Sequence, residues 1–254
     1  MFGIRVELVA ETACFRDPGG QLYHVTLPLP PVSTIVGLAG AALGLSFEQT
    51  WTWFRQAQAR VGVKGASIGK GKDLWNYTKW TVDLEKKPRN DILNREFLCF
   101  APRSLEQREL AGTIQLYYAC EDESYAGRLY EAFLSPVYAL TLGASDDLAK
   151  CISVKWFDHL PVKETTELSN VMIKGDWSHA FTFDWEAIQR MPLRISLNAP
   201  KVARLPIDFV FDAKGVRKGA RYESFTFLTH LQRLKQSVEA YCFGEEFVPL
   251  AHIH

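Results

Sequence analysis

FRDPGGQLYHVTLPLPPVSTIVGLAGAALGL, from Phe15 to Leu45, is the stretch whose reading decides the fold. Its first part, as far as Pro31, reads as a long loop. Pro30 and Pro31 exclude helix just upstream of Ser33, a good N-cap, and leave the apolar run from Ile35 to Leu45 free to form a buried helix. Gly37, Gly40 and Gly44 lower its helix propensity but allow close backbone packing. At 11 residues the run falls far short of the roughly 20 that span a bilayer.

Upstream, Ile4, Val6, Leu8 and Ala10 alternate with Arg5, Glu7 and Glu11, which predicts a half-buried strand. Downstream, Ser46 with Gln49 forms a capping box for a second helix whose Phe47, Trp51 and Phe54 share one face, a stripe that belongs in a core. From about Arg60 to Arg103, short apolar islands lie among Gly, Lys, Arg and aromatics, and a protruding hairpin is expected. Ile114 to Ala119 reads as a strand. Asp122 then caps a helix carrying Tyr125, Leu129 and Phe133, stopped at Ser135-Pro136, and a strand near Ile152 to Phe157 completes a β-α-β-β-α-β series. The expected fold is α+β: a ferredoxin-like, RRM-like domain over residues 1–157 with a hairpin thumb. A β-rich extension over 158–254 packs on it, with strands at Leu193 to Leu197, Ile207 to Phe211 and Tyr222 to Phe227.

Twenty-nine basic and 29 acidic residues cancel, so any nucleic-acid site must be a local patch. The charges are segregated. Lys64 to Arg108 holds ten basic and six acidic residues, Leu105 to Lys150 three and eight, and Glu186 to Lys235 ten and four. In the hairpin, Lys70, Lys72, Lys79 and Arg95 interleave with Trp75, Tyr77 and Trp80, a mixture that suits single-stranded RNA: cations meet phosphates and aromatic faces stack on bases. Folding of those aromatics onto the core is the equally simple alternative. Lys214, Arg217, Lys218 and Arg221 crowd around Gly215 and Gly219 as a basic turn between two strands.

Patterns that carry chemistry elsewhere fail here on context. GASIG, Gly65 to Gly69, matches a nucleophile elbow with Ser67 as nucleophile, but no helix start follows the serine. GASIGKG falls one residue short of a P-loop and has Gly71 where a hydroxyl is needed. Five cysteines, odd in number and never spaced as a CxxC pair, argue against a disulfide framework or zinc knuckle and for a reducing cytoplasm. The histidines show no metal-ligand spacing, so no metal or cofactor is expected. Tyr23-His24 is the sharper case, because a metal-independent ribonuclease needs only a base and a cation; docking of the loop is the simpler role.

The Phe15 to Leu45 stretch resembles the N-terminal signature of the Cas-five family of CRISPR proteins, a branch of the repeat-associated RAMP superfamily. YALTLGASDDLAKC, Tyr138 to Cys151, is similar to its Leu-Gly-x-Ser motif, with Ala144 where Arg is common; REFL at Arg95 and RYESFTFL at Arg221 are similar too. The resemblance implies a non-catalytic subunit of a type I Cascade effector that caps crRNA at its 5′ handle. It also implies contact with the backbone and large subunits, and leaves open contact with target DNA near the protospacer-flanking motif. Arg16, Ser33 and Thr34 would hold a phosphate at the helix start, with Tyr23 and His24 nearby. One branch of the family cleaves precursor crRNA; its Thr-Pro-Ser-Ala-Ala-Arg-like stretch stands here as Pro31-Val32-Ser33-Thr34-Ile35-Val36, which disfavours that activity.

Overall fold

The computed structural model describes residues 1–20, 23–79, 89–100, 112–190, 200–230 and 232–253. The chain begins with β1 (Phe2–Ala10), in which Ile4, Val6 and Leu8 are buried as their alternation predicts, and the short β2 (Thr12–Ala13). After the proline-rich loop come α1 (Val32–Leu43) and α2 (Phe47–Gln56). Helix α1 starts two residues earlier than Ser33 as its N-cap would place it. Pro31, extended at φ −70° and ψ 164°, is the cap residue, and its carbonyl accepts from the amides of Thr34 and Ile35. Proline fits there because it has no amide to leave unsatisfied, so Ser33 lies inside the first turn and caps nothing. Helix α2 opens on the expected capping box, Ser46 and Gln49 bonding reciprocally.

Close packing of the two helices rests on Gly40, where a Cβ would overlap the Thr50 side chain; Gly37 faces open space. Trp51 and Phe54 are fully buried, while Phe47 stands at the rim with its ring against Phe209 and Phe211.

Then follow β3 (Arg60–Ala66), β4 (Gly69–Lys79), β5 (Arg89–Cys99), β6 (Thr113–Cys120), α3 (Glu123–Leu134), β7 (Leu140–Thr141) and β8 (Leu148–Phe157). Asp122 caps α3 through the Ser124 amide, as expected. The hairpin is shorter than its sequence suggested. Only β4 and β5 pair in it, from Gly69 opposite Cys99 to Lys79 opposite Arg89, whereas β3 pairs along its length with β6. Val61 and Val63 explain the difference: both are fully buried, which a solvated hairpin could not offer them. The expected end of the hairpin, near Arg103, lies outside the described residues, as does the strand expected at Leu193 to Leu197.

Continuing, β9 (Val162–Thr165), β10 (Met172–Lys174), β11 (Phe181–Phe183), the short α4 (Trp185–Arg190), β12 (Lys201–Phe211) and β13 (Arg217–Phe227) precede β14 (Gln232–Leu234), β15 (Val238–Phe243), β16 (Glu246–Val248) and β17 (Ala251–His252). The largest sheet among the described residues runs β17-β3-β6-β1-β8-β7. Within it, the four strands of the β-α-β-β-α-β series stand in the order fourth, first, third, second. Helices α1 and α3 pack on one face. Part of the other face is covered by the β9-β15-β16 sheet, where Tyr117 meets Phe243 at 4.9 Å amid Leu160, Tyr241 and Val248.

Charge fastens that cover as well. Glu246 accepts from Arg5 at 2.5 Å, from Tyr117 at 3.0 Å and from Lys64 at 3.4 Å. Burial pushes the Glu246 carboxyl up, but the Arg5 hydrogen bond, the Lys64 charge and the Tyr117 hydroxyl together hold it below the usual range. Among the described residues, no single helix is long and apolar enough to cross a membrane.

Candidate nucleic-acid interface

The described residues of the 15–27 segment are stitched in three places. Within the loop, Asp17 donates its amide to the Val25 carbonyl and Leu27 to Phe15, while buried Thr26 accepts from the Phe15 amide at 3.0 Å. Its second side docks on β5, with the His24 amide donating to Asn94 at 3.0 Å and the Glu96 amide donating to the His24 carbonyl at 2.8 Å. A third tie, from Lys201 to Asp17 at 2.7 Å, fastens the loop to β12. The loop thus bridges the hairpin and the β12–β13 ribbon.

On the ribbon side lies a cleft of about 730 Å³ lined by Arg16, Pro18, Pro206, Arg217, Lys218 and Tyr222 among others. Sequence separates Arg16 from Arg217 by 201 residues; the fold sets both on one cleft. The basic turn that contributes Arg217 and Lys218 forms around Asp212, whose carboxylate accepts from the amides of Lys214 and Val216, both at 2.9 Å. These backbone bonds, Val216's first, together with Lys218 hold the Asp212 carboxyl below its ordinary range. Arg217 lies 5.4 Å from the ring centre of buried Phe209, and Arg204 5.9 Å from that of exposed Tyr222. Lys218 reaches Asp212 at 3.0 Å, and exposed Lys214 sits at the tip. Arg204 and Tyr222 were not singled out from sequence, although the alternation of Arg204 with buried residues along β12 carried a signal.

The hairpin divides its cations differently. Lys70 and Lys72 are exposed, with Lys72 set 5.7 Å from the Tyr23 ring, whose hydroxyl reaches Glu96 at 3.4 Å. Lys79 is held by Asp91 at 2.5 Å and lies over Tyr77. Arg95 is 6% exposed, stacked 4.3 Å from the Trp75 ring centre and bonded to Asp146 at 3.3 and 3.4 Å, with Asp147 at 4.0 Å. The carboxylate partners of Arg95 thus come from the 142–147 loop and not from its own hairpin. Trp80 lies outside the described residues. Ser33 and Thr34 are half-buried in the first turn of α1.

His24 is held below its ordinary pKa by burial first and then by the positive charges of Arg16 and Arg95. A bound phosphate would offset those charges and favour the imidazolium, so RNA binding is expected to move the His24 titration upward. An NMR titration of the imidazole, free and saturated with guide RNA, reads this directly; an unmoved midpoint would place the phosphates away from the loop. Ser67 sits between β3 and β4, two strands, so the strand-to-helix turn of a nucleophile elbow is replaced by a strand-to-strand one. Among the described residues, no three His, Cys, Asp or Glu side chains are grouped to hold a metal.

A mixed α+β fold, with a loop and a strand ribbon converging on a basic cleft, defines the class. The family described as CRISPR-associated protein (Cas_Cas5) matches residues 3–199, and the chain belongs to it. No curated protein matches the chain. Among solved structures, a crystal structure of a CRISPR protein from Archaeoglobus fulgidus is similar at TM-score 0.53 and 12% identity, covering 99% of each chain. A chain of a CRISPR RNA-guided surveillance complex is similar at TM-score 0.52 and 12% identity, over 94% of this chain and 91% of that one. At that identity both likenesses speak for the fold.

Proposed function

We propose that this chain is a non-catalytic crRNA-binding subunit of a Cascade-like CRISPR effector complex and holds the 5′ handle of the guide. The observation that carries the reading is the convergence of Arg16 with Arg217 and Lys218 on one cleft beside Tyr222, cations for phosphates next to an aromatic face for a base. The family match supports membership of a CRISPR system, and the surveillance-complex likeness supports assembly with other subunits. The strand order fourth, first, third, second agrees with a ferredoxin-like domain, followed by a β-rich extension. In an isolated domain of that kind the open sheet face holds RNA; here part of that face is occupied by β15 and β16, so the guide is received at the loop, ribbon and hairpin instead. The exposed hairpin, with Lys70 and Lys72, is the element we assign to the neighbouring backbone subunit or to the guide it carries, and the large subunit is a further partner.

Binding asks less of these residues than cleavage does. His24 is pinned through its backbone to β5, and in-line attack needs a base within about 3 Å of a 2′-hydroxyl. The purified protein is expected to retain repeat RNA and leave it intact during incubation in EDTA. Site-specific cleavage that disappears in His24→Ala and survives in Ser67→Ala would replace this reading with a guide-processing endoribonuclease.

A further inference from the structure

Strand β8 ends the largest sheet on an incomplete edge. The short β7 covers only its start, pairing Leu140 with Ala149 and Thr141 with Leu148. From Cys151 to Phe157 the strand pairs with β1 on one side, with a register shift that passes over Ile152, and no strand among the described residues lies on the other. Such an edge presents a row of unpaired amides and carbonyls, a template for another extended backbone. The surroundings are apolar: Leu148 is 62% exposed, Tyr138 60% and Ile152 51%. A groove of 330 Å³ between α3 and the edge is lined by Leu134, Tyr138, Leu140 and Cys151, and one of 420 Å³ lies where β8 meets the end of β1 at Val9 to Glu11.

We infer that the β8 edge is a docking site for an extended segment of a protein partner, which adds to the sheet as a strand. This rests on the reading of the chain as an effector subunit. The chemistry selects the occupant. A nucleic-acid backbone cannot supply alternating amides and carbonyls, and the basic cleft lies elsewhere, against β12 and β13. A second copy is disfavoured by charge: a symmetric antiparallel pair centred between Ile152 and Ser153 sets exposed Lys150 of each strand opposite Lys155 of the other. The fitting partner is a strand with alternate apolar side chains, one set entering the groove beside Tyr138, and with carboxylates facing Lys150 and Lys155.

The test uses the effector complex assembled with its guide and companion subunits, with a photo-crosslinking residue in place of Ile152 and, as a control, in place of Thr182. A crosslink from position 152 to a companion protein, absent at 182, is expected. In parallel, Leu148→Glu/Ile152→Glu should lose that same protein from the purified complex; both side chains are exposed, so the variant's melting temperature should match the parent's. An unchanged subunit composition overturns the docking site, as does crosslinking only to RNA or to a second copy. Guide binding by the isolated variant is measured separately. If it persists while the partner is retained, only the docking inference fails; if the unmodified chain does not bind guide at all, the underlying reading fails.

Discussion

Replacing Arg16, Arg217 and Lys218 together by Ala should weaken guide RNA binding about a hundredfold near physiological salt and lower the salt slope by about 2. The estimate follows from three phosphate contacts, each releasing about 0.7 of a counterion from a single strand. Arg16 alone comes from a loop tied to the sheet, and the other two from a strand turn, so each substitution leaves its local backbone bonds intact. Lys79→Ala should change the slope less, because it removes one charge from the hairpin and none from the cleft. Filter binding at several salt concentrations decides the matter. A triple variant with the parental slope would mean that phosphates do not enter this cleft.

Gly143→Ala should destabilise the protein by about 3 kcal/mol, lowering its melting temperature by roughly 10 °C for a chain of this size. Gly143 sits at φ 112°, and a Cβ there would overlap the Cys14 carbonyl, whose residue also donates its amide to Leu142 at 2.9 Å. Neither the backbone angle nor the neighbour can yield cheaply. The loop it begins also carries Asp147, which accepts from Thr12 and the Ala144 amide, and Asp146, which holds Arg95 at the base of the hairpin. Gly37→Ala provides the contrast: that glycine is exposed in a helix with open space around it, and the same change should stabilise by about 0.5–1 kcal/mol. Parallel thermal melts measure both, and two equal melting temperatures would refute the steric argument.

What the sequence made legible was local. The Ser46–Gln49 capping box, the Asp122 cap and the turn around Gly215 each depend on residues within a few positions of one another, and all three are found where they were expected. The register of α1 was missed because Ser33 satisfies the composition rule for a cap, while Pro31 wins by having no amide to satisfy. Strand β3 was folded into the hairpin because its glycines and lysine look like those of β4; only pairing with β6, some fifty residues away, separates them. For the candidate site, charge counting found the basic turn, and the loop before the first helix offered Arg16, but nothing local could show that they share a cleft. Arg95 was counted among the cations for RNA, and its partners at Asp146 and Asp147 were visible only once the chain had folded.

The cover over the sheet has a consequence for biosynthesis. Strands β15 and β16 shield Tyr117, and β17 pairs with β3 while Ile253 donates its amide to Ala59 at 3.0 Å. A nascent chain stopped before Val238 therefore exposes an apolar sheet face and an unfinished strand edge until translation proceeds. Holdase chaperones would find their binding surface there, and proteolytic surveillance would find it in fragments. Chains that lack these last strands would keep that surface open to both.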